Sequence, residues 1–215
     1  MNTITLDEAK QIKLFDRKET KYKCDFESAC KFMQYLYDNY FVVSENGISL
    51  FNYMSVYFDT PELKLYNEHK KGVPTRQKVR IREYSNGDKY LEIKTKSEDG
   101  KTNKQRIPIN HMNIDADFVW VKENLKYNIQ ELNHVLNVKY LRLTFISKDY
   151  NERITIDFNI EFFNLLNSVN KKIGDVIIEI KQSDNCQSNI KEVIKTFNIN
   201  ETHFSKYYNG LTLTT

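Results

Sequence analysis

Arg76 to Tyr84 reads RQKVRIREY, with Lys78, Arg80 and Arg82 at alternate positions and Val79 and Ile81 between them. In a strand, residues two apart share a face, so this stretch predicts a strand with three cations on one side and aliphatic side chains on the other. The neighbouring segments repeat the pattern. Lys89 to Lys96, KYLEIKTK, sets Glu92, Lys94 and Lys96 opposite Leu91, Ile93 and Thr95, and Lys104 to Ile109 sets Lys104 and Arg106 opposite Gln105 and Ile107. Between them SEDGKTN has the composition of a hairpin turn. The centre of the chain is therefore expected to be an antiparallel meander.

Outward from this centre the pattern recurs. Lys13 to Lys23 reads as a strand carrying Arg17, Glu19 and Lys21 on one face, and Asp25 as the cap of a helix running to about Tyr40. That helix has Phe26, Ala29, Phe32 or Met33, Leu36 and Tyr40 along one side. Asn52 to Asp59 is rich in aromatic and β-branched residues and predicts a strand; a short helical piece from Pro61 to Gly72 follows. The spacing of Phe118, Leu125, Ile129, Leu132 and Leu136 predicts one or two helices over 115–137, broken near Tyr127-Asn128. Lys139 to Ser147 carries Tyr140, Arg142 and Thr144 on one face; Glu152 to Phe158 carries Arg153, Thr155 and Asp157. Asp175 to Lys181, DVIIEIK, sets Glu179 and Lys181 against Ile178 and Ile180. A last helix is expected over Gln187 to Phe197, and FSKYYNG closes the chain without an assigned element.

Composition narrows the class. With 40% hydrophobic and 28% charged residues among 215, the chain reads as globular, and with neither linker nor repeat it reads as one domain, 1–215. The net charge of +3 is too small to imply a nucleic-acid partner. Three unpaired cysteines suit a reducing, cytoplasmic compartment, and no apolar run approaches the roughly 20 residues of a membrane span. The four histidines are scattered with no helical pairing for a metal.

Any one of these strands reads as the solvated face of a half-covered sheet. Taken together they carry too many cations of one sign: Lys21, Lys78, Arg80, Arg82, Lys94, Lys104, Arg106, Arg142, Arg153 and Lys181. Helices at 25–40, 115–136 and 187–197 would cover the apolar faces from outside. The expectation is an α+β fold whose antiparallel strands close into a tunnel or barrel with a charged interior and helices packed outside. A cationic interior calls for a polyanion, because like charges in a low-dielectric space repel. Arginine forks and lysine point charges suit phosphate, and the few acids on these faces, Glu19, Glu92 and above all Glu179, suit Mn2+ or Mg2+ bridging phosphate oxygens.

The ordered segments RKETKY, YFDT, KVRIREY, LEIK, YLRL, RITID, IIEIK and FSKY resemble the polyphosphate polymerase domain of the vacuolar transporter chaperone complex and its bacterial relatives, a branch of the triphosphate tunnel metalloenzymes. The resemblance spans about Leu14 to Gly210. It implies an eight-stranded closed tunnel, roughly the size at which a barrel interior holds one small ligand. It also implies transfer of the terminal phosphoryl group of ATP to polyphosphate with a divalent metal, preferably Mn2+. Lys21, Arg80, Arg82, Lys94, Arg142 and Arg153 match its phosphate-binding positions, Glu179 its metal-binding glutamate and Lys206 a basic residue at the tunnel mouth. Tyr140, Lys181 and Ser205 match further motif positions. Where the sibling branch of cyclases and thiamine triphosphatases opens with two glutamates, this chain has Arg17 and Glu19, which favours the polymerase-like branch. The segment LNVKY before YLRL lacks the proline expected there.

Three activities share these residues: a polymerase, a triphosphate or tripolyphosphate hydrolase on the same fold, and a sensor that binds polyphosphate without turnover. ATP and polyphosphate are the expected partners, nucleic acid is not, and any export would need a separate membrane protein. Oligomeric state is left open. Arg80→Ala is expected to abolish synthesis with little loss of fold.

Overall fold

The computed structural model describes residues 2–12, 14, 18–98, 100–112 and 114–215; Arg17 and most of the approach from Lys13 lie outside them. In chain order the elements are β1 (Asn2–Thr5), α1 (Leu6–Gln11), β2 (Lys18–Cys24), α2 (Phe26–Asn39), β3 (Phe41–Ser44), β4 (Phe51–Asp59), α3 (Lys64–Lys70), β5 (Arg76–Tyr84), β6 (Lys89–Lys96) and β7 (Thr102–Ile109). A 3-10 turn at Asp115–Asp117 leads into α4 (Phe118–Asn124), β8 (Asn133–Ile146), β9 (Glu152–Asn164), β10 (Asn170–Ile173), β11 (Val176–Gln182), α5 (Ile190–Lys195), β12 (Asn200–Glu201) and α6 (Lys206–Leu213).

The twelve strands share one sheet ordered β12-β2-β11-β9-β8-β4-β5-β6-β7, with β1 on β3, β3 on β8 and β10 on β9. This corrects the closed eight-stranded tunnel: the path has two ends, and among the described residues no ladder joins β12 to β7. The ends explain why. β12 offers β2 only two residues, paired with Lys23 and Tyr22, and β7 is exposed from Thr102 to Arg106 and carries Pro108, which has no N–H to give a further strand. Nor is the sheet wholly antiparallel, since β1 and β3 run parallel.

The chain forms two compact units. The first comprises Met1–Asn52, Tyr140–Ile160 and Ile173–Phe204. Asp25 caps α2 by accepting the Ser28 amide at 2.8 Å, and Ala29, Phe32 and Leu36 are fully buried. With Ile190 and Ile194 of α5 they cover Tyr22, Ile154, Ile156, Ile178 and Ile180 of β2, β9 and β11, as the alternation requires. Phe26, at the first helical position, is 56% exposed and instead meets Phe158 edge-on.

The second unit comprises Tyr53–Lys139, Glu161–Lys172 and Ser205–Thr215. Its meander pairs Val79 with Ile93 and Ile81 with Leu91, and these side chains are buried with Leu65 of α3, Val121 of α4 and the following Leu125, Ile129 and Leu132. The helix expected from Pro61 starts only at Lys64, after Leu63 takes a left-handed φ of 55°; Asp59 closes this turn by accepting the amides of Thr60, Leu65 and Tyr66. Helix over 115–137 is also corrected: it stops at Asn124, and Asn133 already begins β8, where β-branched Val135 and Val138 are buried. FSKYYNG opens α6, capped by Ser205. Its Gly210 lies so close to β8 and β9 that an added Cβ would stand 2.6 Å from Phe162 and 2.7 Å from Leu136. No helix among the described residues is long and apolar enough to cross a membrane.

Glu152 of β9 is buried in the first unit, accepting from Tyr40 at 2.5 Å, Gln182 at 2.7 Å and Ser188 at 3.2 Å. Burial raises its pKa, and those three donors oppose the rise. A folded-state pKa above the unfolded one means that its stabilising contribution is complete below about pH 4.3, the unfolded glutamate value, and is lost as pH climbs through the folded value. Glu152→Gln removes that titration, so urea denaturation at pH 5 and pH 8 should show a smaller drop in stability with pH for the variant than for the wild type. An unchanged drop refutes the assignment.

Candidate functional site

With α3 and α4 covering one side of β5 and β6, the alternate residues of the second unit form a polar face in rows across the strands. Lys78, Lys94 and Lys104 are direct cross-strand partners. In the next row come Tyr57, Arg80, Glu92 and Arg106, and beyond it Ser55, Arg82 and Tyr90. Adjacent strands lie about 4.8 Å apart, so three ammonium groups in register repel one another unless an anion lies among them. Lys78 donates to the Ser205 hydroxyl at 2.9 Å. Lys104 reaches Glu92 at 3.2 Å; burial lowers its pKa and Glu92 pulls it back up.

The arginines are held in two ways. Arg80 is 6% exposed and gives Nε and Nη2 to the same Glu92 oxygen at 2.9 and 2.7 Å, while Nη1 reaches the Tyr57 hydroxyl at 3.2 Å. Burial alone would push up both Glu92 and Tyr57, but Arg80 and Arg82 hold both below their usual ranges, with help from Lys104 for Glu92 and from Lys206 for Tyr57. Arg82 lies 5.4 Å over the Tyr53 ring and 5.9 Å over Tyr84, and Arg106 4.4 Å over Tyr90. Such stacking steadies a guanidinium through its plane. Beside Arg82 the Ser55 hydroxyl is buried with no hydrogen-bond partner.

The first unit presents its own charged face opposite α2 and α5. Glu179 of β11 is flanked by Lys21 and Thr155, and Lys181 by Glu19 and Arg153. Lys181 stands 2.7 Å from Glu179 and 3.8 Å from Glu19, and Lys21 lies 3.7 Å from Glu19 and 4.0 Å from Glu179. Lys21 also donates to the Phe204 carbonyl at 3.0 Å, and Arg153 to the Ala9 carbonyl at 2.7 Å. Arg142 grips Asp157 through two bonds of 2.6 and 2.8 Å above the ring of buried Tyr140.

The site residues named from the sequence on strands thus lie on two polar faces, each described within its own unit, while Ser205 and Lys206 lie at the start of α6. Glu92 is not arranged as a metal ligand: its oxygens already serve Arg80 and Lys104. Glu19 and Glu179, on adjacent strands beside the unpartnered, buried Thr155 hydroxyl, fit a hard cation that takes its remaining ligands from phosphate and water. Among the described residues no group of three or more His, Cys, Asp or Glu could hold a metal unaided. Tyr57, Ser55, Asp59 and Tyr207 were missed; the alternation of Tyr53, Ser55, Tyr57 and Asp59 along β4 was the available signal. The structure also argues against the stability half of the Arg80→Ala expectation, since losing Arg80 takes the closer of its two cation partners from a fully buried carboxylate.

The family model for the VTC domain matches residues 16–215. Among solved structures, HpAC1 from Hippeastrum, a candidate adenylyl cyclase described as having a dominant triphosphatase activity, matches with a TM-score of 0.58 at 13% identity, over 92% of this chain and 97% of its own. At that identity the likeness concerns the fold alone. The hypothetical protein NE1496 aligns over 93% of this chain and 98% of its own at 12% identity, with a TM-score of 0.34 that carries no weight. No curated protein matches.

Arg142→Ala leaves Asp157, 3% exposed, without its fork and should lose about 3 kcal/mol of stability. Lys94→Ala, on the polar face level with Lys78 and Lys104, should reduce the upward shift in thermal midpoint that tripolyphosphate gives the wild type. An undiminished tripolyphosphate shift in Lys94→Ala contradicts its place in the anion-binding face.

Proposed function

The chain belongs to the VTC domain family, and we propose that it is a polyphosphate polymerase moving the terminal phosphoryl group of ATP onto a growing chain of inorganic polyphosphate. The observation that supports this most is the row Lys78, Lys94 and Lys104 set directly beside Arg80 and Arg82. Such a density of positive charge exceeds the need of one phosphate and suits a chain of them.

A terminal phosphate oxygen of the acceptor attacks the γ-phosphorus of ATP, the bond to the β–γ bridging oxygen breaks, and ADP leaves with that electron pair. The attacking oxygen is already ionised near neutral pH, so no general base is needed. Catalysis then consists of holding two polyanions in line and neutralising the charge that spreads over the transferring group. Arg80, Arg82, Lys94 and Lys104 serve in the second unit, and Lys21, Arg142, Arg153 and Lys181 in the first. Glu179 with Glu19 would hold Mn2+ or Mg2+, which would supply charge neutralisation to the bound phosphates.

A second reading, hydrolysis of a triphosphate, is favoured by the fold shared with the Hippeastrum triphosphatase. The two differ in whether phosphate or water reaches the γ-phosphorus. Incubating the purified protein with ATP and Mn2+ should yield ADP and long-chain polyphosphate in matching amounts. Orthophosphate in place of polymer supports the hydrolase, and tight tripolyphosphate binding without turnover sinks both.

A further inference from the structure

An anion-binding face gains nothing in affinity from a buried carboxylate, yet Glu92 sits at the centre of one with no exposed surface. Its charge opposes every phosphate that approaches Arg80, Arg82, Lys104 or Arg106. What it provides is geometry. One oxygen fixes Nε and Nη2 of Arg80 on the strand to one side, and the other holds Lys104 on the strand to the other side. The remaining nitrogen of Arg80 is turned to Tyr57, whose ring stacks on Tyr207 at 5.0 Å; Tyr207 donates to Asp59, and Asp59 is itself pinned by three backbone amides at the start of α3. Arg80 is thus braced from both sides by groups that are themselves anchored, all of them under a tenth exposed.

We propose that Glu92, together with Tyr57, is a positioning residue for phosphoryl transfer: it gives up some anion affinity in order to hold Arg80 and Lys104 in the one arrangement that matches the transferring group. This rests on the phosphoryl-transfer reading given above. A flexible arginine would find phosphate equally well but would lose conformational freedom on doing so, whereas a preset one has already lost it. Against the pull of its burial, Arg80, Arg82 and Lys104 keep Glu92 ionised through the neutral range, so the brace stands at working pH.

Three measurements decide it. Glu92→Gln should lower kcat for ATP roughly a hundredfold, the scale of a small misplacement, while tripolyphosphate binding measured calorimetrically without metal stays equal or tightens. Tyr57→Phe keeps the ring stack and should fold like the wild type; it should lower kcat several-fold with the same binding behaviour. Independently of turnover, the Arg80 Nε proton in nitrogen-15 NMR should exchange slowly in the wild type and rapidly in Glu92→Gln. Recovery of Glu92→Gln by added Mn2+ makes Glu92 a metal ligand and overturns the proposal, as do unchanged kcat in both variants, weakened tripolyphosphate binding at unchanged kcat, or an Arg80 proton indifferent to the substitution. A wild type that binds tripolyphosphate but turns over no ATP defeats the phosphoryl-transfer reading instead, and the NMR result still decides whether Glu92 positions Arg80.

Discussion

Burial of Val79, Ile81, Leu91 and Ile93 beneath α3 and α4 is the constraint on which the rest of the second unit depends. The pleat sends alternate side chains to opposite faces, so once these four are in the core, Lys78, Arg80, Arg82, Glu92 and Lys94 have no choice of side. A slip of one residue would carry Arg80 into the apolar layer and Val79 onto the polar one. Register is therefore enforced by the aliphatic side chains and inherited by the charged ones. The first unit obeys the same rule, with Ile178 and Ile180 under α2 and Glu179 and Lys181 opposite.

That logic also marks what was legible from the residues. β5 and β6 begin and end where alternation places them, and α2 follows its cap and its apolar stripe, because both signals are local. The membership of the polar faces followed from the same alternation. Closure of the sheet did not, because it depends on how far two remote edges extend, and that is set by the two-residue β12 and by Pro108. The start of β8 was hidden because Leu132 and Leu136 fall at a helical interval while Val135 and Val138 favour a strand, a conflict that pairing resolves. α6 was readable in principle, from Ser205 as a cap and Tyr207, Gly210 and Leu211 at i, i+3 and i+4 from it.

The role of Glu92 shows a different limit. In LEIK it looks like any inward acid on a cationic strand, and a metal is the natural partner to assign. Only the folded arrangement distinguishes a carboxylate that two cations already occupy from one with room for a third. The same acid type on the other face, at Glu19 and Glu179, keeps some exposed surface and, beside the close Lys181–Glu179 pair, meets its lysines at 3.7 to 4.0 Å, which leaves it room to take a harder cation. Burial, more than sequence neighbourhood, separates the two.

Gly210 bears on all of this from a distance. Its missing side chain lets α6 settle against Phe162 and Leu136, and one turn earlier that helix delivers Tyr207 to Asp59 and Tyr57, and Ser205 to Lys78. The helix behaves as a lever with its fulcrum at the glycine: a single methyl group there would prise the near end off its seat. Tolerance to substitution at an uncharged position is thereby tied to the charge geometry of the face, and selection acting on the one is felt by the other.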